Sequence, residues 1–220
     1  MRSDVIVLGA GMVGISAALH LQQRGRSVTL LDRRGPAEET SYGNTGVIQR
    51  EGIVPYMFPR ELMTILRYGL NTSVDATYHI TALPRIAPWL FRYWRASTPE
   101  GKAASARAMM PLIERCITEH EALMQAAGVT AMMRPTGYVK AFRSEEKLVT
   151  EIAESEAERA EYGVNFRPLD KAALAVLEPH VRDRFVGAVH MPDPVTIADP
   201  GGLGKAYAEL FVRQGGRLAE

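Results

Sequence analysis

The sequence predicts an α/β fold that opens with a Rossmann-type nucleotide-binding unit, and three observations predict it. A short apolar run from Asp4 to Leu8 leads directly into Gly9-Ala10-Gly11-Met12-Val13-Gly14, an amphipathic segment follows, and a second apolar run ends on Asp32. A glycine triplet of this spacing is a weak signal alone, but strand, glycines, helix, strand and terminal acid in this order are specific. The reading it displaces is a glycine turn in some other α/β fold.

Each element has its own reason. The run to Leu8 is β-branched and continuous, as expected of a parallel strand covered on both faces. Gly9 permits the tight turn, Gly11 lets the backbone approach a pyrophosphate, and Gly14 lets the helix lie close to the strand. The helix is expected from about Met12 to Arg24, with Ile15, Ala18, Leu19 and Leu21 inward and Gly25 as its stop. Its N-terminal N–H groups then face the phosphates. The strand Ser27 to Leu31 presents Asp32, 23 residues after Gly9, where a carboxylate accepts from ribose hydroxyls. Arg33 and Arg34 raise the option of a 2′-phosphate, which Asp32 would repel; they read as exposed, or as reaching toward adenine or solvent.

Bulk composition narrows the function classes. With 220 residues, 46% hydrophobic and 23% charged, the chain can bury a core. A net charge of +1 gives no field that would gather nucleic acid. One cysteine, Cys116, forms no internal disulfide and no multi-thiolate metal site, which fits a reducing compartment and makes the cytoplasm the simplest expectation. No run reaches the roughly 18 apolar residues of a spanning helix, so the protein reads as soluble or peripheral.

A nicotinamide-binding fold continues promptly to a third parallel strand. Here Glu39-Thr40-Ser41-Tyr42-Gly43-Asn44-Thr45-Gly46 follows instead, small and hydrogen-bonding enough to wrap a longer cofactor, or to be a solvated turn. Gly9 to Gly14, Asp32, Ser41 to Gly46 and Asp199-Pro-Gly-Gly-Leu203 resemble the FAD-dependent D-amino-acid oxidase superfamily, most closely its bacterial D-amino-acid dehydrogenases. Thr40, Ser41, Asn44 and Gly46 match that branch's Thr-Ser-x-x-Asn-x-Gly segment, and Gly137-Tyr138, Glu178-Pro179 and Asp199 look similar to later motifs.

The resemblance implies an FAD-binding Rossmann unit with an inserted α+β substrate domain, truncated before the flavin fold is complete. It implies a cofactor held by Gly9, Gly11, Met12, Val13, Gly14, Asp32, Arg33, Thr40, Ser41, Asn44, Gly46 and Val47. It implies oxidation of the CH–NH2 group of a D-amino acid or related amine by hydride transfer to flavin, yielding a 2-oxo acid and ammonia. A respiratory quinone or electron-transfer partner, the inner face of the plasma membrane, and a missing C-terminal half or companion subunit belong to the same expectation. Two other readings are an NAD-dependent dehydrogenase and a noncatalytic cofactor-binding subunit.

Residues 1–58 are expected to form the FAD-binding portion, 59–198 a helical region and substrate-domain sheet, and 199–220 a return helix. Pro59 to Ser97 mixes aromatics with arginines, suited to domain packing or to a membrane interface. Met109, Leu112, Ile113, Cys116, Ile117, His120, Leu123 and Met124 form a helical stripe read as core, with Pro111 kinking or restarting the helix. Strands are expected at Gly137–Phe142 and Phe185–Met191, and helices capped by Ser144 and extending to Tyr162, at Lys171–Leu177 and at Gly201–Gln214. The last is started by Asp199-Pro200. A substrate carboxylate calls for Arg or Tyr donors; Arg50, Tyr56 and Tyr138 are candidates by position. No general base or metal ligand is assigned, His20, His79, His120, His180 and His190 having no identifiable partner.

Overall fold

The computed structural model describes residues 3–73, 76–181 and 184–220. In chain order it runs β1 (Val5–Leu8), α1 (Met12–Gln23), β2 (Val28–Leu31), β3 (Val47–Ile48), α2 (Leu62–Gly69), α3 (Leu83–Ala96), α4 (Pro99–Ile113) and α5 (Cys116–Ala127). It continues with β4 (Met133–Arg134), β5 (Tyr138–Phe142), α6 (Glu145–Tyr162), β6 (Arg167–Asp170), α7 (Lys171–Leu177), β7 (Gly187–Met191), β8 (Val195–Ile197), α8 (Pro200–Arg213) and β9 (Arg217–Ala219). Two compact units result: the chain up to Glu51 together with Glu114–Glu220, and Gly52–Ile113.

In the first unit β1, β2 and β9 make a parallel sheet in that order, Val5 opposite Val28 and Thr29 opposite Arg217. The third strand that a nucleotide-binding half-sheet needs is therefore supplied, but only after the whole insertion. α1 and α8 pack together with α5, and Ile15, Leu19, Leu30, Met124, Leu203, Tyr207 and Phe211 form their common core. Leu19 and Leu30 are wholly buried, each stabilising the fold by about 1.5–3 kcal/mol. α8 starts where Asp199 Oδ1 accepts from Gly202 N at 2.8 Å and ends ahead of Gly215, whose φ is 87°.

The insertion contributes two antiparallel sheets, β3-β8-β4 and β5-β7-β6. α6 lies against β7, with Val164, Phe166, Val189 and Met191 buried there. Arg159 stacks on Phe166 at 4.1 Å and donates to the Phe166 carbonyl at 2.6 Å, fixing the turn between α6 and β6. In the second unit Phe58 meets Tyr93 edge-on at 5.6 Å, and Ser97 Oγ accepts from Phe58 N at 2.9 Å.

Several expectations are corrected. β1 is not covered on both faces: Ile6 and Leu8 are exposed while Val5 and Val7 are half-buried, because among the described residues the helices pack on only one face of this sheet. Pro111 does not restart a helix, since α4 runs through it to Ile113 and the break falls at Glu114–Arg115. Near a helix C-terminus the missing N–H costs one bond and the ring meets only the turn before it. The stripe is core only in its second half, Leu123 and Met124 being buried and Met109 and Leu112 exposed. Ser144 precedes α6 but makes no side-chain cap; Asp170 caps α7 instead, accepting from Ala173 N at 2.7 Å.

Candidate cofactor site

The site is assembled from the ends of β1 and β2, the start of α1 and the loop between β2 and β3. Gly9 turns with φ of 98° and donates to the Leu31 carbonyl at 2.7 Å, so the turn is tied to the neighbouring strand. The start of α1 carries no side-chain cap on its Gly11 N-cap, which leaves that end of the dipole for a ligand. At Gly14 a Cβ would lie 1.8 Å from the Gly9 carbonyl oxygen, so the helix packs here only because the side chain is absent.

Asp32 closes the arrangement from β2. Its Oδ2 accepts from Ala10 N at 2.7 Å and its Oδ1 from Arg34 N at 2.9 Å. These N–H groups, Ala10 first, hold the carboxyl below the usual carboxylate range, so it stays ionised with lone pairs free for hydroxyl donors. Arg33 does not reach for a phosphate: Nε and Nη2 both donate to Glu39 Oε1, at 2.9 and 2.7 Å. Arg34 lies 3.4 Å from the same oxygen. A cavity of about 550 Å³ opens here, lined by Leu8, Gly9, Leu31, Asp32, Arg33, Glu39 and Glu220. Glu39 and Glu220 escaped the sequence reading; Glu220 comes from the strand that returns beside β2, a neighbour with no local signal.

The loop 39–46 is tied to the glycine turn, although most of its residues are exposed. Ser41 Oγ accepts from Met12 N at 2.9 Å, which keeps its own hydrogen available to a phosphate oxygen. Asn44 folds the loop, its Oδ1 accepting from Gly46 N at 2.8 Å and its amide donating to the Thr40 and Ser41 carbonyls at 3.4 and 3.3 Å. Gly46 has φ of 66°, and a Cβ there would lie 2.5 Å from the Ile197 carbonyl oxygen. Val47 follows as the first residue of β3. The same closeness explains Gly201 and Gly204, whose Cβ atoms would meet Tyr42 and Ala37. Val13 is exposed on the first turn of α1.

The substrate candidates divide. Arg50 Nη1 lies 3.5 Å from Asp193 Oδ2, which also accepts from Asn165 Nδ2 at 2.8 Å. Beside Arg50, both Glu51 carboxyl oxygens are shielded from solvent without a hydrogen bond of ordinary geometry, and the Tyr138 hydroxyl faces them. Burial raises that carboxyl above its ordinary value, and Tyr138 and Lys140 partly offset the rise. Arg50 and Tyr138 thus share one neighbourhood, while Tyr56 belongs to the other unit and is 91% exposed. Glu51, missed in the sequence, carried no motif. Cys116 and His120 are not a pair of ligands in waiting: His120 stacks on Tyr207, Nδ1 3.1 Å from its hydroxyl, and burial lowers its pKa.

A glycine turn, an ionised acid on the next strand and a third strand returning after a long insertion are the features of a dinucleotide-binding fold. The chain belongs to the DAO family, described as FAD-dependent oxidoreductases, whose model matches residues 4–220. D-amino acid dehydrogenase 1 of Mesorhizobium japonicum is 31% identical over 216 residues, covering 96% of this chain and 51% of that protein. D-amino acid dehydrogenase of Chromohalobacter salexigens is 31% identical over 200 residues, covering 88% of this chain and 47% of that protein. Among solved structures, L-amino acid deaminase from Proteus vulgaris superposes with a TM-score of 0.64 at 19% identity, covering 99% of this chain and 39% of that one. Glycine oxidase from Bacillus cereus gives 0.61 at 19%, covering 100% and 46%. The structural likenesses show the fold; the chain spans about half the length of the curated relatives it matches.

Proposed function

We propose that this chain supplies the FAD-binding and part of the substrate-binding machinery of an oxidoreductase acting on the CH–NH2 group of D-amino acids or related amines. The observation that carries the reading is the joining of the loop 39–46 to the glycine turn by the Met12 N to Ser41 Oγ bond, beside an ionised Asp32. Residues 1–58 and 199–220 would serve the cofactor and 59–198 the substrate.

The residues fit the cofactor. Gly9 and Gly11 would leave room for the diphosphate at the positive end of α1, where the Val13 N–H would donate while that of Met12 is held by Ser41, and Gly14 lets the helix lie this close to the turn. Ser41, with Thr40, Asn44, Gly46 and Val47 around it, donates from the opposite side. Asp32 accepts from ribose hydroxyls, and the Arg33–Glu39 pair borders the adenosine end. FAD, when bound, supplies the hydride acceptor. Arg50 and Tyr138 would hold a substrate carboxylate, Arg50 giving up part of its contact with Asp193. The substrate amine must be neutral to lose hydride from its α-carbon, so turnover rises with pH through that amine's ionisation.

A second reading is favoured by the half-length coverage: a flavin-holding part that turns over only with further polypeptide, a missing half or a companion subunit. A small-molecule amino acid, a quinone or electron-transfer protein as acceptor, and a cytoplasmic or membrane-peripheral setting complete the proposal. Titrating FAD into the purified chain, followed by anaerobic D-amino acid, separates the readings. Flavin binding with bleaching supports the first, flavin binding without bleaching supports the second, and protection by NADH but not by FAD refutes both.

A further inference from the structure

We propose that Glu51 is a positioning residue for the substrate carboxylate: protonated, it donates to the Tyr138 oxygen and leaves the phenol hydrogen for the substrate, and ionised, it takes that hydrogen itself. This rests on reading Arg50 and Tyr138 as the carboxylate's holders. The backbone brings the three residues together. β3 pairs antiparallel with β8, Val47 opposite Thr196 and Ile48 opposite Val195, and the same register carried two residues further sets Arg50 against Asp193. Asp193 lies in the turn between β7 and β8, and Tyr138 begins β5 opposite Met191, the last residue of β7. Gly137 pins that beginning: its N–H donates to the Pro194 carbonyl at 3.0 Å, and a Cβ on it would run into the Met191 carbonyl oxygen.

The charges around Glu51 are committed to one another. Arg50 and Asn165 both hold Asp193, and Lys140 on β5 holds Glu151 of α6 at 2.7 Å. Cys116 on α5 carries a thiol that burial pushes up, and His190, opposite Val139, belongs to the other face of the β5–β7 pair. Both Glu51 oxygens are shielded from solvent and lack a hydrogen bond of ordinary geometry, with the Tyr138 hydroxyl facing them. Buried polar atoms are seldom left so, and a role in function is one reason for an exception. Because this chain already covers both oxygens, a segment arriving from outside has no way to pair with them; the group they answer to is Tyr138. A phenol has one hydrogen. An ionised carboxyl can only accept, so Tyr138 must donate to it; a protonated carboxyl donates instead, and the Tyr138 hydrogen turns to another acceptor. Tyr138 is half-buried, so a substrate carboxylate can reach it. Burial first, and then the facing Asp193, favour protonated Glu51, partly offset by its own N–H, Tyr138 and Lys140. A substrate carboxylate adds one more negative charge, so its binding is linked to proton uptake.

The probe is trifluoroacetate, a carboxylate that carries no amine and stays ionised throughout, with binding to the 220-residue chain followed by fluorine relaxation over about pH 5 to 9. One hydrogen bond to a charged acceptor is at stake, so affinity should be highest on the acid side and fall about tenfold as pH rises through the Glu51 ionisation. Glu51→Gln, whose amide still donates to Tyr138, should keep the acid-side affinity at every pH, and Tyr138→Phe should bind about tenfold more weakly on the acid side and without pH dependence. In the wild-type chain the glutamate carboxyl that titrates above the others, seen by carbon NMR after isotope labelling, should share its midpoint with binding; this comparison decides should the variants unfold. Wild-type binding independent of pH, pH dependence that survives in Glu51→Gln, or separate midpoints would overturn the role of Glu51 while leaving the carboxylate reading standing. If Arg50→Gln and Tyr138→Phe both bind like wild type, or wild type does not bind, that reading and the role of Glu51 fall together.

Discussion

Gly14→Ala places the nucleotide-binding turn under direct strain. The new Cβ would lie 1.8 Å from the Gly9 carbonyl oxygen and 3.6 Å from Val7 Cγ1, whereas real Cβ contacts are essentially never below 3.0 Å. Helix and turn must separate by more than an ångström, and the obstacle is backbone, which has no rotamer to change. Ile15, Ala18 and Leu19, on the same helix, are wholly buried and would be drawn partly out of the core. Overpacking of this kind costs about 1–3 kcal/mol, and partial unpacking of two large side chains adds about 1–2 kcal/mol. The gain in helix propensity returns about 1 kcal/mol. The expected net loss is about 1–4 kcal/mol in urea unfolding followed by far-UV dichroism, with at least about tenfold weaker FAD binding by fluorescence titration. Both tryptophans, Trp89 and Trp94, lie in the 52–113 unit, so their fluorescence monitors the part that should not change. Gly43→Ala is the contrast, with nothing within 4 Å of its Cβ; it should gain up to about 0.4–1 kcal/mol. A Gly14→Ala protein as stable as wild type, with undiminished FAD affinity, would refute the assignment of this turn.

Asp32→Asn keeps the shape and removes the charge, and FAD affinity should fall about 5- to 10-fold. Because the folded Asp32 carboxyl binds its proton less tightly than the unfolded one, it stabilises the fold above about pH 4, and that contribution disappears as pH falls through the lowered folded value. The wild-type advantage over Asp32→Asn in urea midpoint should therefore shrink on acidification; an advantage independent of pH would contradict the bonding described. Glu51→Gln has the opposite sign: a carboxyl raised by burial destabilises the fold while charged, so the substitution should stabilise at neutral pH and lose that gain as the wild-type group protonates. Midpoints measured across the acid-to-neutral range check it. Arg33→Gln breaks an exposed pair with Glu39 and should change stability by less than about 0.5 kcal/mol, while a 2′-phosphorylated nucleotide should bind no better to wild type than to the variant.

The first fifty residues are legible because their constraints are local. Gly9, Gly14 and Asp32 meet through a turn and two adjacent strands, so spacing alone places them. The Thr40–Gly46 loop was legible only as a composition with two readings; the Met12–Ser41 bond that ties it to the glycine turn joins residues whose types do not announce each other. Glu220 and Glu51 stayed hidden for a further reason, since one arrives from the far end of the chain and the other is distinguished only by burial. The short strands β3, β4 and β8 were missed because two or three residues give no period to detect.

The pairing of Thr29 with Arg217 also governs how the molecule is made. Residues 32–216 must be synthesised before β2 acquires its second neighbour, so β1, α1 and β2 emerge early and wait with an open hydrogen-bonding edge. Nascent chains in that interval are vulnerable to mispairing with one another, and soluble yield should depend on translation speed and chaperone supply more than on equilibrium stability.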